Sequence, residues 1–346
     1  MSLVTDILTT QRVLDYTTTR SYPTQAGEAL FPAQRQESMD FKYITGRNGA
    51  PVSASVHSLN TESEIGSRQG LKEVAGKVAM IKRKIGVDEE LILQLHSLRQ
   101  DSNAYKAVID KIYNDIDAMV NAVNVRIERM RYEALATGKI VLNENNVKYE
   151  INYGLEDKQK TDVATKWDDP NANILDDIFT IVDKMVAEGD QPQRILTSRK
   201  VVALLAKNEK LQKEILGQYN SRRLSQNELN NFFTSQGLPV IGTEDRVYRA
   251  EDAAGRLTTH RYFADNKMVF LPGTAVGHTV YAPTPEEIRL AQNPAVDLSK
   301  VGNVIAMVYD EAVDPVATYT KAVAMALPSF EAADQVHIAD VLAPTM

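Results

Sequence analysis

Residues 101–140 read DSNAYKAVIDKIYNDIDAMVNAVNVRIERMRYEALATGKI, and this stretch decides the fold. Apolar side chains recur at Tyr105, Val108, Ile109, Ile112, Ile116, Met119, Val120, Val123, Ile127 and Met130. Steps of three and four, sustained for about seven turns, are the period of one helix face. Asp101-Ser102-Asn103 offers capping side chains at the start, and Gly138 suits the C-terminal end. At about 1.5 Å per residue the helix approaches 50 Å. A mean helix has only about 11–12 residues, so this one reads as a structural spine.

Downstream, Ile140-Val141-Leu142 and the alternating Val147, Tyr149, Ile151 and Tyr153 flank Asn143-Glu144-Asn145-Asn146, a β-hairpin signature. Gly154 to Lys166 reads as a polar linker, and Asp168-Asp169-Pro170 marks a boundary. An α/β region follows. Helices are expected at 173–188, 199–207, 209–219 and 225–236, and strands at 194–197, 238–242, 247–249, 258–263 and 268–271. Residues 301–310 and 316–327 read as long apolar strands. Upstream of the spine, Asp88 caps an expected helix running through Leu95.

The first 85 residues have a different character. Leu3, Ile7, Leu8 and Val13 suit a short helix, and no sustained period follows them. Met39, Phe41 and Tyr43 then alternate with polar neighbours. Thr45 to Pro51 reads as a loop around Asn48-Gly49, the strongest turn dipeptide in the chain, and Val52, Ala54 and Val56 alternate again. A third extended run covers 74–85. Ordering each residue costs about 1–2 kcal/mol of backbone entropy, and these 85 residues carry too few apolar groups for a core of their own. Alternating strands argue against a disordered tail, so the segment is expected to be an arm and a long hairpin lying on a neighbour.

The chain has 346 residues, enough for two domains or one elaborated domain. It is 43% hydrophobic but only 7% aromatic, so its core must be mainly aliphatic. A net charge of −7 is a poor fit to a surface built to grip nucleic acid. Without cysteine, disulfides, thiol catalysis and zinc–thiolate sites are excluded. No apolar run of about 18 residues exists for a membrane helix, and the first residues show no basic stretch followed by an apolar block, so neither a membrane partner nor a signal peptide is expected.

Catalytic patterns are missing. His57, His96, His260, His278 and His337 show no metal-ligand spacing, and their ordinary reading is solvated or locally hydrogen-bonded. Gly70-Leu71-Lys72-Glu73-Val74-Ala75-Gly76-Lys77 has five residues between its glycines, and Val78 stands where a phosphate loop needs Ser or Thr. An enzyme would have to use His260 and Asp265 as an acid–base pair in a cleft within 168–300. No cofactor and no metal is expected. Charge, by contrast, is patterned. Ser67 to Lys84 carries six basic residues and one acidic, whereas Glu156 to Asp190 carries ten acidic and four basic. These are either two solvated faces or the two halves of an electrostatic register between subunits.

An arm, a hairpin around an Asn-Gly tip, a spine helix, a second hairpin and an α/β region ending in long strands together resemble an α+β fold, the Hong Kong 97-type capsid fold. The chain is most similar to the lambda-type major capsid proteins, the phage major capsid protein E family. The segments that carry the likeness are Arg131 to Ile140, Val147 to Gly154, Trp167-Asp168-Asp169-Pro170, Ile195-Leu196-Thr197-Ser198, Asp265 to Pro272, Tyr281 to Glu287, Asp314-Pro315 and Ala326 to Phe330. Their order and spacing, across nearly the whole chain, are what is specific.

The resemblance implies a shell subunit of a tailed double-stranded DNA phage, forming pentamers and hexamers of an icosahedral head. It implies an N-terminal arm at 1–35, an extended loop at 36–84, and a peripheral domain with spine and hairpin at 85–167. An axial domain at 168–300 and returning C-terminal strands at 301–346 complete the scheme. Arg47, Asn48, Gly49, Arg68 and Lys72 are the candidate intersubunit contacts. A separate scaffolding protein, a portal protein and DNA held without sequence recognition are the implied partners, with a decoration protein as a further candidate. The place of action is the virion, after assembly in the host cytoplasm. No catalytic residue carries over, and the lysine–asparagine crosslink of one relative has no evident pair here. The alternative is an encapsulin-like compartment of the same fold that encloses a protein cargo.

Overall fold

The computed structural model describes residues 9–46, 71–87, 93, 97, 103–145, 147–218, 222–252, 254–293, 302–311 and 317–343. In chain order the elements begin with α1 (Thr10–Thr19), β1 (Ala33–Arg35), β2 (Asp40–Gly46), β3 (Leu71–Lys77), β4 (Ala79–Val87) and the spine α2 (Asn103–Thr137). They continue with β5 (Lys139–Glu144), β6 (Val147–Asn152), β7 (Lys160–Asp162), α3 (Ile174–Ala187), β8 (Arg194–Thr197), α4 (Arg199–Lys207), α5 (Glu209–Leu216) and α6 (Gln226–Ser235). The remainder are β9 (Val240–Thr243), β10 (Val247–Glu251), β11 (Leu257–Arg261), β12 (Lys267–Leu271), β13 (Thr279–Ala282), α7 (Pro285–Leu290), β14 (Ile305–Glu311), β15 (Ala317–Pro328) and β16 (His337–Asp340).

The spine is a single helix of 35 residues, about 52 Å at 1.5 Å per residue. Ile112, Ile116, Val120, Val123, Ile127 and Met130 are buried along it, as the three–four period requires. It stops where expected. Gly138 has φ +72°, donates its N–H to the Ala134 carbonyl at 2.8 Å, and sits where a Cβ would lie 2.8 Å from Leu155 Cδ1. Only glycine takes that backbone conformation without penalty and leaves room for Leu155.

The chain divides into two compact units. The first combines residues 1–41, 76–130 and 279–329. Its sheet is organised around β15, whose 12 residues form the longest strand described. β4 pairs with Thr318–Ala326 along one edge, and β14 and β13 follow one another along the other. β1 joins β13 in parallel. Ala322 to Leu327 are all buried, so both faces of this stretch are covered and its pattern is a continuous apolar run.

Residues 10–35 differ from expectation: they find partners within their own chain. Val13 and Leu14 are buried, and Leu14 packs with Ile305 and Val323. Asp117 of the spine accepts Tyr16 Oη at 2.9 Å and Tyr22 Oη at 3.0 Å and pairs with Arg20 Nε at 2.7 Å. Burial, then the Asp117 hydrogen bond, raises both tyrosine hydroxyls above their ordinary pKa. Farther along the spine, buried Glu128 accepts the Gly27 N–H at 2.8 Å. The expected residues Leu3, Ile7 and Leu8 of the first helix lie outside the described residues, as does most of the helix expected after Asp88.

The second unit combines residues 42–75, 131–278 and 330–346. Its sheet runs β7-β16-β12-β8-β9, with parallel pairs at its two ends and antiparallel pairs inside. Helices α3 to α6 turn Ile178, Ile181, Leu205, Leu229 and Phe233 into one core with Phe270 of β12. Helix α4 covers the residues expected of it, and Ser225 opens α6 with a capping box to Glu228. Two antiparallel ribbons, β5–β6 and β10–β11, complete the unit. The stretch read as a polar linker is structured. It holds a 3-10 turn at Asp157–Gln159 and then β7, because buried Gln159 donates to the carbonyls of Ala333 at 2.8 Å and Val336 at 3.0 Å.

Candidate assembly surfaces

Strands β2 and β3 pair as a two-stranded ribbon, so β2 takes residues 71–77 as its partner; the Asn48-Gly49 turn and the alternating run expected after it lie outside the described residues. Lys42 and Glu73 pair across the ribbon at 3.3 Å. The ribbon also contributes to the core, which the sequence reading did not foresee: Phe41 and Val74 are buried, and Tyr43 Oη donates to the Phe330 carbonyl at 3.3 Å. Burial pushes the Tyr43 hydroxyl well above its ordinary pKa. Of the candidate contacts, Lys72 lies in β3, whereas Arg47, Asn48, Gly49 and Arg68 lie outside the described residues. Leu71 to Lys77 of the glycine-flanked segment form strand β3 rather than the loop-to-helix turn of a phosphate site.

A second surface is the ribbon β10–β11, anchored by a polar clamp at its base. Glu244 is buried and receives Tyr132 Oη at 2.7 Å and Arg246 Nη2 at 2.8 Å. The Arg246 backbone N–H and Nε each donate to Oε1 at 2.9 Å. Burial pushes this carboxyl up, and the hydrogen bonds from Arg246 and Tyr132 together outweigh it, leaving it below the ordinary range. The guanidinium also lies over the rings of Tyr132 and Tyr262, 5.9 and 5.4 Å from their centroids. Beyond the clamp the ribbon leaves Val247 and Leu257 exposed, at 56% and 62%. Nothing in the spacing of Glu244 and Arg246 announced this cluster, since an acid and a base two residues apart are common.

The third surface is the edge strand β4, whose residues 82–86 are all exposed. Lys84 stands directly across from Lys321 of β15, and Lys82 lies one step along the same face. Lys84 Nζ rests over the Tyr319 ring, 4.1 Å from its centroid, and Lys321 pairs with Glu286 of α7. Burial pushes Glu286 up, and Lys321, with Lys82 farther off, more than reverses it.

The described histidines have separate partners, and His57 and His96 lie outside the described residues. His260 stacks on Tyr248 at 5.5 Å and shares a hydrogen bond of 2.8 Å with Thr258, whereas Asp265 pairs with Lys200 at 3.3 Å. The structure thus engages the acid–base candidates with different partners. His278 pairs with Glu331 at 3.0 Å. His337 is buried, shares 2.7 Å with Thr161 Oγ1, and is held at about 4 chiefly by burial. Among the described residues no group of acidic or histidine side chains is arranged to hold a metal, and no helix is long and apolar enough to cross a membrane.

This architecture has the fold of Hong Kong 97-type capsid proteins. A candidate prophage capsid protein of E. coli CFT073 matches it with TM-score 0.61 and 15% identity, covering 95% of this chain and 96% of that one. A phage-related protein of Bordetella bronchiseptica RB50 matches with TM-score 0.55 and 13% identity, covering 95% of each chain. No curated protein matches. A profile of the phage major capsid protein E family matches residues 9–341, and the chain belongs to that family. The resemblance read in its sequence therefore holds, and the protein is one of the structural proteins that assemble into a phage capsid.

Proposed function

We propose that this chain builds the icosahedral head of a tailed double-stranded DNA phage, as pentamers and hexamers, and that its work is geometric rather than catalytic. The observation that carries the reading is the family match over residues 9–341. In this scheme 1–35 is the arm, 36–84 the extended loop, 85–167 the peripheral domain, 168–300 the axial domain, and 301–346 the strands that return to the body. The loop lies over the adjacent subunit, where Arg47, Asn48, Gly49, Arg68 and Lys72 make contact. The ribbon β2–β3 supports that role, because it gives such a loop a stem tied to the body through Tyr43 and Phe330.

A separate scaffolding protein guides assembly in the host cytoplasm, a portal protein occupies one vertex, and a decoration protein is a further candidate partner. A net charge of −7 suits a container whose DNA must enter and leave, since a strongly basic lining would hold it. Cryo-electron microscopy of particles from the full chain co-expressed with candidate scaffold tests the reading. Closed shells enclosing no host protein are expected. Uniform shells filled with a protein cargo, formed without scaffold, would instead establish the encapsulin-like alternative.

A further inference from the structure

We propose that the lysine cluster on the edge of β15 and β4 is a docking site for the acidic outer stripe of helix α3 in a second copy of this chain, an inference that rests on the shell reading above. Lys84 and Lys321 oppose one another directly in an antiparallel pair, with Lys82 on the same face. Like charges placed directly opposite one another are destabilising. The carboxylate at this cluster, Glu286, is committed to Lys321 through Oε1. Its Oε2 is buried and has no hydrogen-bond partner among the described residues. Neither Lys82 nor Lys84 has an ion pair among the described residues, and both are exposed. The cluster therefore carries uncompensated positive charge on a strand edge.

Helix α3 offers the complement. Asp176, Thr180, Asp183 and Ala187 recur at four, three and four residues and are all exposed, one stripe along the helix. Asp176 bonds the Asn173 amide, and Asp183 has no partner among the described residues. Around them residues 156–190 carry ten acidic groups against four basic, a large enough excess to steer an approaching basic edge.

Edge lysines also serve simply to keep strands from pairing with one another. Charge reversal separates the two roles, because an edge guarded by glutamate is still guarded. The experiment compares the full-length wild type with K82E/K84E, D176K/D183K and the fourfold swap. Sedimentation velocity at ~0.1 M salt and electron microscopy measure the assembled mass. Each reversal is expected to lower it by about ten-fold, and the swap to restore it. Unchanged circular dichroism and melting temperature show that each variant folds. K82Q/K84Q, which puts no carboxylate beside Glu286, should give a smaller loss in the same direction. Wild-type assembly by either reversal, or a swap that fails to restore it, overturns the docking site. A wild-type chain that stays monomeric at every concentration overturns the shell reading instead, and the pairing with it.

Discussion

The two units are built from the same chain by opposite routes. In the second, strands β8, β9 and β12 and helices α3 to α6 all come from residues 174–271, and the core closes largely among sequence neighbours. In the first, one sheet collects strands beginning at residues 33, 79, 279, 305 and 317. Its central strand β15 is made near the end of the chain, so β1 and β4 wait for it. Non-local pairing of this kind costs loop-closure entropy before any contact repays it and slows folding. The second unit should therefore form early and withstand local damage to the first.

That contrast can be broken most forcefully at Phe233, fully buried in the second core. Phe233→Ala is expected to cost about 3–5 kcal/mol. Hydrogen exchange should show the loss over residues 174–271 while β4 and β15 stay protected. Equal loss in both units would mean that they unfold as one.

His337 sharpens the comparison through pH. Its folded pKa of about 4 lies below the ordinary 6.5, so the unfolded chain binds the proton more readily. Stability is full above about 6.5 and falls as pH drops toward about 4, by on the order of 1–3 kcal/mol after allowance for solvent. His337→Asn should flatten that slope in thermal melts of the second unit. An unchanged slope would assign the acid sensitivity elsewhere.

In the first unit the matching probe is Ala324, buried in β15. Ala324→Leu overfills a strand covered on both faces and should cost about 1–3 kcal/mol, read as faster exchange in β4 and β14. The smallest effect is expected at Ser225, the N-cap of α6, where Ser225→Ala should remove about 1 kcal/mol and leave the first unit untouched.

Long periodic elements were legible, as were the short strands β8 to β12 of the α/β region, but three other short strands were not. The spine declared itself through seven turns of spacing, and α4 through its apolar stripe. Strands β7, β13 and β16 have only three or four residues each, and partners distant in sequence make them strands. The single extended run expected at 74–85 is two strands, because β3 pairs with β2 while β4 pairs with β15. The same limit hid half of the third surface. Lys82 and Lys84 stood out in the basic run, but Lys321 became their neighbour only through a register more than 230 residues away. Of the expected contacts, Lys72 falls in a described strand, and the hairpin tip lies outside the described residues.

Asp117 carries a consequence for mutational tolerance. One carboxylate holds Tyr16, Arg20 and Tyr22, so the N-terminal side of this attachment is redundant and the spine side is not. Drift at any one of the three leaves two partners in place, whereas loss of Asp117 removes the carboxylate partner of all three together. The arm can therefore vary in composition across generations while the helix position that receives it stays constrained.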